Sequence, residues 1–196
     1  MKIYMMRHGE AMDDVENCYG GIADFPLTDK GREQAVHSAM ALKSDPPQVI
    51  YSSPLKRAKE TAEIVAAQLG VKPIVVLQDL QERNSYGVLS GVNKDKAKLV
   101  FDNILSTLKE KPGHSREYIT GCEEFERFVP RVRRAFDEVI LDAVKRKAET
   151  IAVMTHRRFT QALFEEVLQV EGKIDLKLSA MNVLEYEPAK VALKTT

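Results

Sequence analysis

Apolar residues along this chain fall into short unbroken runs that alternate with longer stretches where they recur every three or four positions. Ile3 to Met6, Val49 to Tyr51, Pro73 to Leu77, Ile151 to Thr155 and Asn182 to Tyr186 are the short runs. Each has the length of a strand and is too short for a core helix. Ile151 to Thr155 is apolar throughout, the mark of a strand buried on both faces.

The periodic stretches predict helices. Thr28 is placed to cap one whose inward positions are Ala35, Val36, Ala39, Met40 and Leu42, and Asp45-Pro46-Pro47 breaks it. Ser52-Ser53-Pro54 predicts a serine cap with proline in the first turn. Leu55, Ala58, Ala62, Val65 and Leu69 then share one face, and Gly70 ends it. Asp95 to Lys109 is a helix with a less clean face, ended by Lys111-Pro112-Gly113. Glu123 to Lys147 is the longest helix, with a stripe of Phe125, Phe128, Val129, Val132, Phe136, Val139, Ile140 and Ala143. Its phenylalanines are assigned to the core, with no ligand-stacking role. A last helix turns Phe159, Ala162, Leu163 and Val167 inward before Gly172. Ala11 to Phe25 and Asp79 to Asn93 read as loops, and Ala189 to Thr196 as a short strand or a frayed tail. Strands alternating with helices give an α/β class: a three-layer α/β/α sandwich with a mostly parallel central sheet. A length of 196 residues suits one domain, residues 1–196.

Charge and composition narrow the function. Lys plus Arg and Asp plus Glu both number 29, so the net charge is zero. That argues against a general nucleic-acid binder, though not against a local cluster of arginines. No apolar run approaches the ~20 residues of a membrane span, and no secretory segment is visible before the first strand. Cys18 and Cys122 have neither metal-type nor framework spacing. They read as free thiols of a reducing, cytoplasmic compartment. Oligomeric state leaves no mark in the sequence.

Reactive groups collect where the runs end. The first closes in Arg7-His8-Gly9 and the fourth in Thr155-His156. Open α/β sheets bind ligands at the carboxyl ends of their strands. Gly9 is expected to let the backbone turn and come close to a ligand. Arg57 falls in the first turn of a helix, where exposed N–H groups favour an anion. With neighbouring strands, Arg7, His8, Arg57 and His156 converge on one pocket. Arginine offers a fixed fork that matches two phosphate oxygens, and a neutral imidazole is a competent nucleophile. Metal binding is the rival use of paired histidines. It lacks an obvious third ligand, and the arginines would repel a divalent cation. No metal and no other cofactor is expected.

These residues carry a family resemblance. The sequence resembles the histidine phosphatase superfamily, in its phosphoglycerate-mutase-like branch. Arg7-His8-Gly9-Glu10 is similar to the signature that holds the nucleophilic histidine. Asn17 and Gly20-Gly21-Ile22-Ala23-Asp24 fall where the mutases carry a phosphate-contacting Asn and a Thr-Gly-Trp-x-Asp run, and Pro26 to Gly31 continues the match. Ser52 to Thr61 resembles the second block, whose arginine, here Arg57, binds phosphate. Leu80-Gln81-Glu82-Arg83, then Tyr86-Gly87 to Lys94, resembles the mutase acid loop with one extra residue. Gly121 to Val132 resembles the Gly-Glu-Ser helix start, and Val153 to His156 the second-histidine block.

The resemblance implies a phosphoglycerate-mutase-like fold and a division of labour. His8 attacks phosphorus and becomes a phosphohistidine. Arg7, Arg57 and His156 hold the equatorial oxygens. Glu82 protonates the leaving oxygen. Asn17, Gly20, Gly21, Arg83, Tyr86, Lys94 and Arg157 are the candidate substrate-binding residues, and Arg83, Lys94, Arg116 and Arg157 are candidates for a substrate's second charge. Four departures stand out. Arg157-Arg158 replaces the glycine after the second histidine, Glu124 replaces a serine, and the stretch after Lys94 lacks the mutases' insert with paired arginines. Ala11 and Asp14 replace Ser and Asn near the nucleophile, and Asp14 would repel an anionic substrate. The expected function is a phosphomonoester hydrolase acting on a small phosphorylated metabolite. A phosphoglycerate mutase is the first alternative and a non-catalytic phospholigand-binding protein the second.

Overall fold

A computed structural model describes residues 1–100, 119–170 and 172–187. The five apolar runs form strands β1 (Lys2–Arg7), β2 (Val49–Ser52), β3 (Ile74–Val76), β4 (Thr150–Thr155) and β5 (Met181–Glu185). They build one sheet in the order β3-β2-β4-β1-β5. The first four pair in parallel, and β5 lies antiparallel on the outer side of β1. The class is α/β as expected, and the sheet is mixed but mostly parallel.

Register decides where the chemistry falls. β1 and β4 pair from Lys2 with Thr150 to Arg7 with Thr155, so His8 and His156 follow the same rung of the ladder. On the other side of β4, Ser52 pairs with Met154, and the turn into the next helix starts beside them. Three carboxyl ends therefore lie side by side.

Helices α1 (Met12–Val15), α2 (Asp29–Ala41), α3 (Lys56–Leu69), α4 (Lys94–Val100), α5 (Phe125–Lys145) and α6 (Arg157–Ala162) flank the sheet or its connections, and α6 continues into one π-helical turn, Leu163–Val167. Alternate strand residues point to opposite faces. Ile3, Met5, Tyr51, Ile151 and Val153 pack under Phe128, Val132, Phe136, Val139 and Phe159. Tyr4, Met6, Ile50, Ala152 and Met154 pack over Ala39, Leu42, Ala62 and Val65. A third cluster, Leu89, Ala97 and Ile119 with Tyr19 and Tyr86 against it, supports the connections near the strand ends. No helix among the described residues is long and apolar enough to cross a membrane.

Several elements differ from the sequence expectation. Thr28 does cap α2, accepting the Gly31 N–H at 3.0 Å. Yet Met40 is 62% exposed and Val36 half-buried, because Ala35, Ala39 and Leu42 already fill the narrow face toward the sheet. The helix after Ser52-Ser53-Pro54 begins later, at Lys56, without a side-chain cap. Ser53 spends its hydroxyl on the Leu55 N–H and on His156 instead. Ala11 to Phe25 contains α1, and Asp79 to Asn93 is organised by two 3-10 turns, Gln78–Leu80 and Gly87–Leu89. Helix α5 runs through Pro130, which is exposed in its second turn. Gly9 is glycine because α2 comes close: a Cβ there would strike the Gly31 carbonyl, not a ligand. The expected helix beyond Val100, the Lys111-Pro112-Gly113 break, Arg116 and Ala189 to Thr196 lie outside the described residues.

Arg131 ties α5 to the loop before Arg83. Its Nε and Nη2 each donate to Glu123 at 2.7 Å. Nη1 donates to the carbonyls of Asp79 at 2.7 Å and Gln81 at 3.0 Å, and Nη2 reaches the Glu82 carbonyl at 3.3 Å. The Arg131 and Glu123 side chains are only 7% and 20% exposed, so losing the cation strands a carboxylate and several carbonyls. Arg131→Ala is expected to lower the unfolding free energy by about 3–5 kcal/mol in urea denaturation, and Arg131→Lys, without the fork, to recover only part of it.

Candidate active site

His8 stands one residue past β1. Its N–H donates to the Thr155 carbonyl at 3.2 Å and its carbonyl accepts from Ser179 at 3.1 Å, which fixes the backbone on both sides. The imidazole Nδ1 lies 2.7 Å from the Gly9 carbonyl. A carbonyl only accepts, so Nδ1 carries the hydrogen. Arg57 Nε lies 3.2 Å from Nε2. A guanidinium only donates, so Nε2 holds a lone pair. The two partners together define a neutral imidazole with its nucleophilic nitrogen turned toward Arg57. Burial, then the charges of Arg57 and Arg7, hold its pKa well below 6.5.

The two arginines are held by backbone. Arg57, the second residue of α3, is 2% exposed. Its Nη1 and Nη2 donate to the carbonyls of Ala23 and Gly21, each at 2.7 Å. Thr61, one turn on, donates to the Arg57 carbonyl and accepts the Gly9 N–H, which links α3 to the histidine turn. Arg7 donates from Nη1 to the Leu176 carbonyl at 2.7 Å, while its buried Nε has no partner. Burial pulls its pKa down, against the opposing pull of Glu82. Among the described residues neither guanidinium forms an ion pair; their acceptors are carbonyls and an imidazole.

His156, at the N-cap position of α6, lies beside His8 with ring centroids 5.1 Å apart. It is fully buried. Its Nε2 meets Ser53 Oγ at 2.7 Å, and its Nδ1 is buried without a partner. Burial, then Arg57, pushes its pKa well below 6.5 too. The four basic groups singled out in the sequence are therefore neighbours, although His156 is fully buried and does not line the cleft that the other three share.

A cleft of about 250 Å³ opens over Arg7, His8 and Arg57. Glu82, Gly20, Gly21, Arg83, Tyr86, Lys94 and Arg157 all line it. Asn17 does not. It is exposed in a left-handed turn at φ 54°, and its amide donates to Asp95 at 3.3 Å. Arg83 donates from Nε and Nη2 to the Glu123 carbonyl and lies over the rings of Phe125 and Phe128. Phe125 is half-buried against the core, as expected, and the Arg83 guanidinium lies over its ring; it does not line this cleft. Glu82 sits on the N-terminus of α6. Its Oε1 accepts the N–H groups of Arg83 at 2.9 Å and Phe159 at 3.2 Å, and its Oε2 that of Arg158 at 3.2 Å. Among the described residues no group of three or more His, Cys, Asp or Glu is placed to hold a metal ion.

Sequence reasoning missed Asp13, Ser53, Arg131 and Arg158. Asp13 and Arg158 line the cleft. Arg131 carried a signal: it falls between Phe128 and Ala135 on the buried stripe of α5, where a charge needs a partner. Asp13 carried none, sitting in a stretch that read as an ordinary polar loop.

Burying two neutral histidines makes stability depend on pH. Their native pKa values lie below the free value of about 6.5, so in acid the unfolded chain binds protons that the native chain refuses. Their contribution is complete above pH 6.5 and is lost as pH falls below it. Urea denaturation between pH 6.5 and 5 should show the unfolding free energy dropping by up to about 1.4 kcal/mol per pH unit for each histidine. His8→Asn should remove about half of that slope, and a flat profile in the parent would contradict the buried neutral pair.

Comparison with known proteins places the family and the fold. Residues 3–196 match the family model of the histidine phosphatase superfamily (branch 1). The chain is 30% identical to a 2,3-bisphosphoglycerate-dependent phosphoglycerate mutase of Parvibaculum lavamentivorans, across 95% of this chain and 87% of that one. It is 29% identical to a metal-independent phosphoserine phosphatase of Arabidopsis thaliana, across 96% and 78%. Its fold superposes on Bacillus stearothermophilus YhfR with a TM-score of 0.78 at 25% identity, covering 95% of this chain and 92% of that one. A family match running almost from end to end, on a sheet built like that of YhfR, makes this chain a member of branch 1 of the histidine phosphatase superfamily.

Proposed function

We propose that this protein hydrolyses phosphomonoesters of a small metabolite through a phosphohistidine at His8. One observation carries the reading: Arg57 is a buried cation and Arg7 a partly buried one beside a neutral imidazole, with carbonyls for partners and no ion pair among the described residues. Buried charge without countercharge is unfavourable. A phosphate dianion supplies the countercharge, and its oxygens are better acceptors for a guanidinium than an imidazole nitrogen is. Binding then draws the Arg57 Nε–H away from Nε2 and frees the lone pair.

The chemistry follows from that exchange. Nε2 attacks phosphorus as the bond to the leaving oxygen breaks, and the leaving oxygen takes a proton from a carboxyl on the cleft wall. Water then attacks phosphorus and gives its proton to that carboxylate, the N–P bond breaks, and its electron pair returns to Nε2. Arg7, Arg57 and His156 stabilise the equatorial oxygens. By its place in the acid loop, Glu82 is the sequence's candidate for the proton. Cys18 and Cys122, both half-buried, form no disulfide, in keeping with a cytoplasmic setting.

Mutase activity is the second reading. Tyr86 and Lys94 favour it, since both line the cleft at positions that resemble the mutase loop. Arg83 favours it less, since its guanidinium already grips Glu123. The deciding assay is p-nitrophenyl phosphate turnover in EDTA, alongside interconversion of 2- and 3-phosphoglycerate. Hydrolysis is expected, with His8→Ala lowering it by roughly 10⁴-fold or more. Arg57→Ala should lower kcat by about 10²–10³-fold, and Arg57→Lys should restore little of it. Equal turnover by the parent and His8→Ala would refute the reading, and interconversion without phosphate release would establish the mutase.

A further inference from the structure

Arg7 and Arg57 reach the cleft from supports of different kinds. Arg57 stands in the first turn of α3, with a backbone carbonyl on each amino group. Arg7 is the last residue of β1. Among the described residues its guanidinium has one hydrogen-bond acceptor, the Leu176 carbonyl at 2.7 Å. Where the Arg7 fork stands therefore depends on where residue 176 stands. That residue lies outside the sheet, on the connection between the π-helical turn and β5. The same connection holds the backbone beside it. The Ala180 carbonyl accepts the Arg7 N–H at 3.0 Å, and the Ser179 N–H donates to the His8 carbonyl at 3.1 Å.

One side chain closes this connection. Asn182, the second residue of β5, pairs with Met5. Paired residues share a face of the sheet. Asn182 thus lies on the face where Ile3, Met5 and Leu184 pack toward α5, a place for an apolar residue. A half-buried amide there needs partners. It finds both on Asp175: Nδ2 donates to the Asp175 carbonyl at 2.8 Å, and Oδ1 accepts the Asp175 N–H at 2.9 Å. The pair imitates one rung of an antiparallel ladder. Asp175 Oδ1 in turn accepts the Lys177 N–H at 3.0 Å, and the Lys177 carbonyl accepts from Ala180 at 3.1 Å. Leu176 is braced on both sides, with its carbonyl aimed at Arg7.

We propose that Asn182 is a positioning residue for the phosphate site: its rung with Asp175 fixes the Leu176 carbonyl and, through it, the Arg7 guanidinium. This rests on the reading of Arg7 and His8 as the place where a phosphate sits. Without the rung the Leu176 carbonyl shifts and the Arg7 side chain samples further rotamers. An arriving phosphate must then order that side chain itself, which weakens its binding.

Orthophosphate titration followed by protein amide NMR shifts tests this as a double-mutant cycle. Asn182→Ala is expected to weaken orthophosphate binding about tenfold in the parent and about tenfold in Arg57→Ala. In Arg7→Ala, which has no fork left to place, it should weaken binding less than about twofold. Asn182→Ser, long enough for one of the two bonds, should weaken binding about threefold, and it carries the same cycle if the alanine variant does not fold. Single-turnover phosphorylation of His8 by p-nitrophenyl phosphate should slow in the same pattern. An equal loss in the Arg7→Ala background, or a lower urea midpoint with parental orthophosphate affinity, would show a purely structural amide and overturn the assignment. The expected cycle in a parent that forms no phosphohistidine would overturn the hydrolase reading and leave Asn182 in its role. A parent that binds no orthophosphate would overturn both.

Discussion

Arg57 donates its Nε–H to Nε2 of His8 while its two amino groups grip the Gly21 and Ala23 carbonyls. This one guanidinium connects the His8 imidazole, the glycine turn and the first turn of α3. Holding it there requires acceptors that bring no full negative charge, because a carboxylate partner would cancel the field an incoming anion has to meet. Backbone carbonyls satisfy hydrogen bonds without supplying a countercharge. The loop over residues 20–24 is folded to present two of them, and Leu176 presents another to Arg7. The buried histidines follow from the same constraint. Beside two cations and away from water they remain neutral, one bonded to Arg57 and the other to Ser53.

The sheet makes this assembly possible, and most of it was legible. Short apolar runs ending in Arg7-His8 and in Thr155-His156 imply strand ends, and parallel pairing places such ends together. The register of β1 on β4, with Arg7 opposite Thr155, is the physical fact behind that inference. Contacts that depend on how connections pack were not legible. Ser53 read as a helix cap, yet it bonds His156 across 103 residues of chain. Gly9 read as a ligand approach, yet its missing side chain admits α2. Asn17 matched a motif and still points to Asp95, because its left-handed backbone turns the amide outward. A motif fixes residue order, while the direction of a side chain depends on a backbone that distant residues shape.

Arg131 extends the site into the core. It holds Glu123 and the carbonyls of residues 79, 81 and 82, so the loop that presents Glu82 and Arg83 hangs from the buried face of α5. Glu123 in turn receives Arg83 on its carbonyl, and Glu82 receives the first N–H groups of α6. One helix of the α5 layer therefore sets the position of a cleft wall and of the helix that begins at His156. Catalytic placement and folding stability are coupled through Arg131 although it touches no substrate position.

The cleft divides into two chemical zones. Its floor, Arg7, His8 and Arg57, carries positive charge and a lone pair, suits an anion, and is set by the end of β1 and the first turn of α3. Its rim mixes Lys94, Arg157 and Arg158 with Asp13 and Asp14, on connections that the sheet does not dictate. With about 250 Å³ to fill, a substrate that seats its phosphate on the floor brings a small leaving group directly against that rim. A rim carrying both signs is selective in a way a purely cationic one is not. It tolerates a second anionic group near the three cations, and it penalises one near the aspartates unless those carry protons. Selectivity then belongs to a few side chains on the connections, Lys94, Arg157, Arg158, Asp13 and Asp14, and not to the sheet that sets the floor.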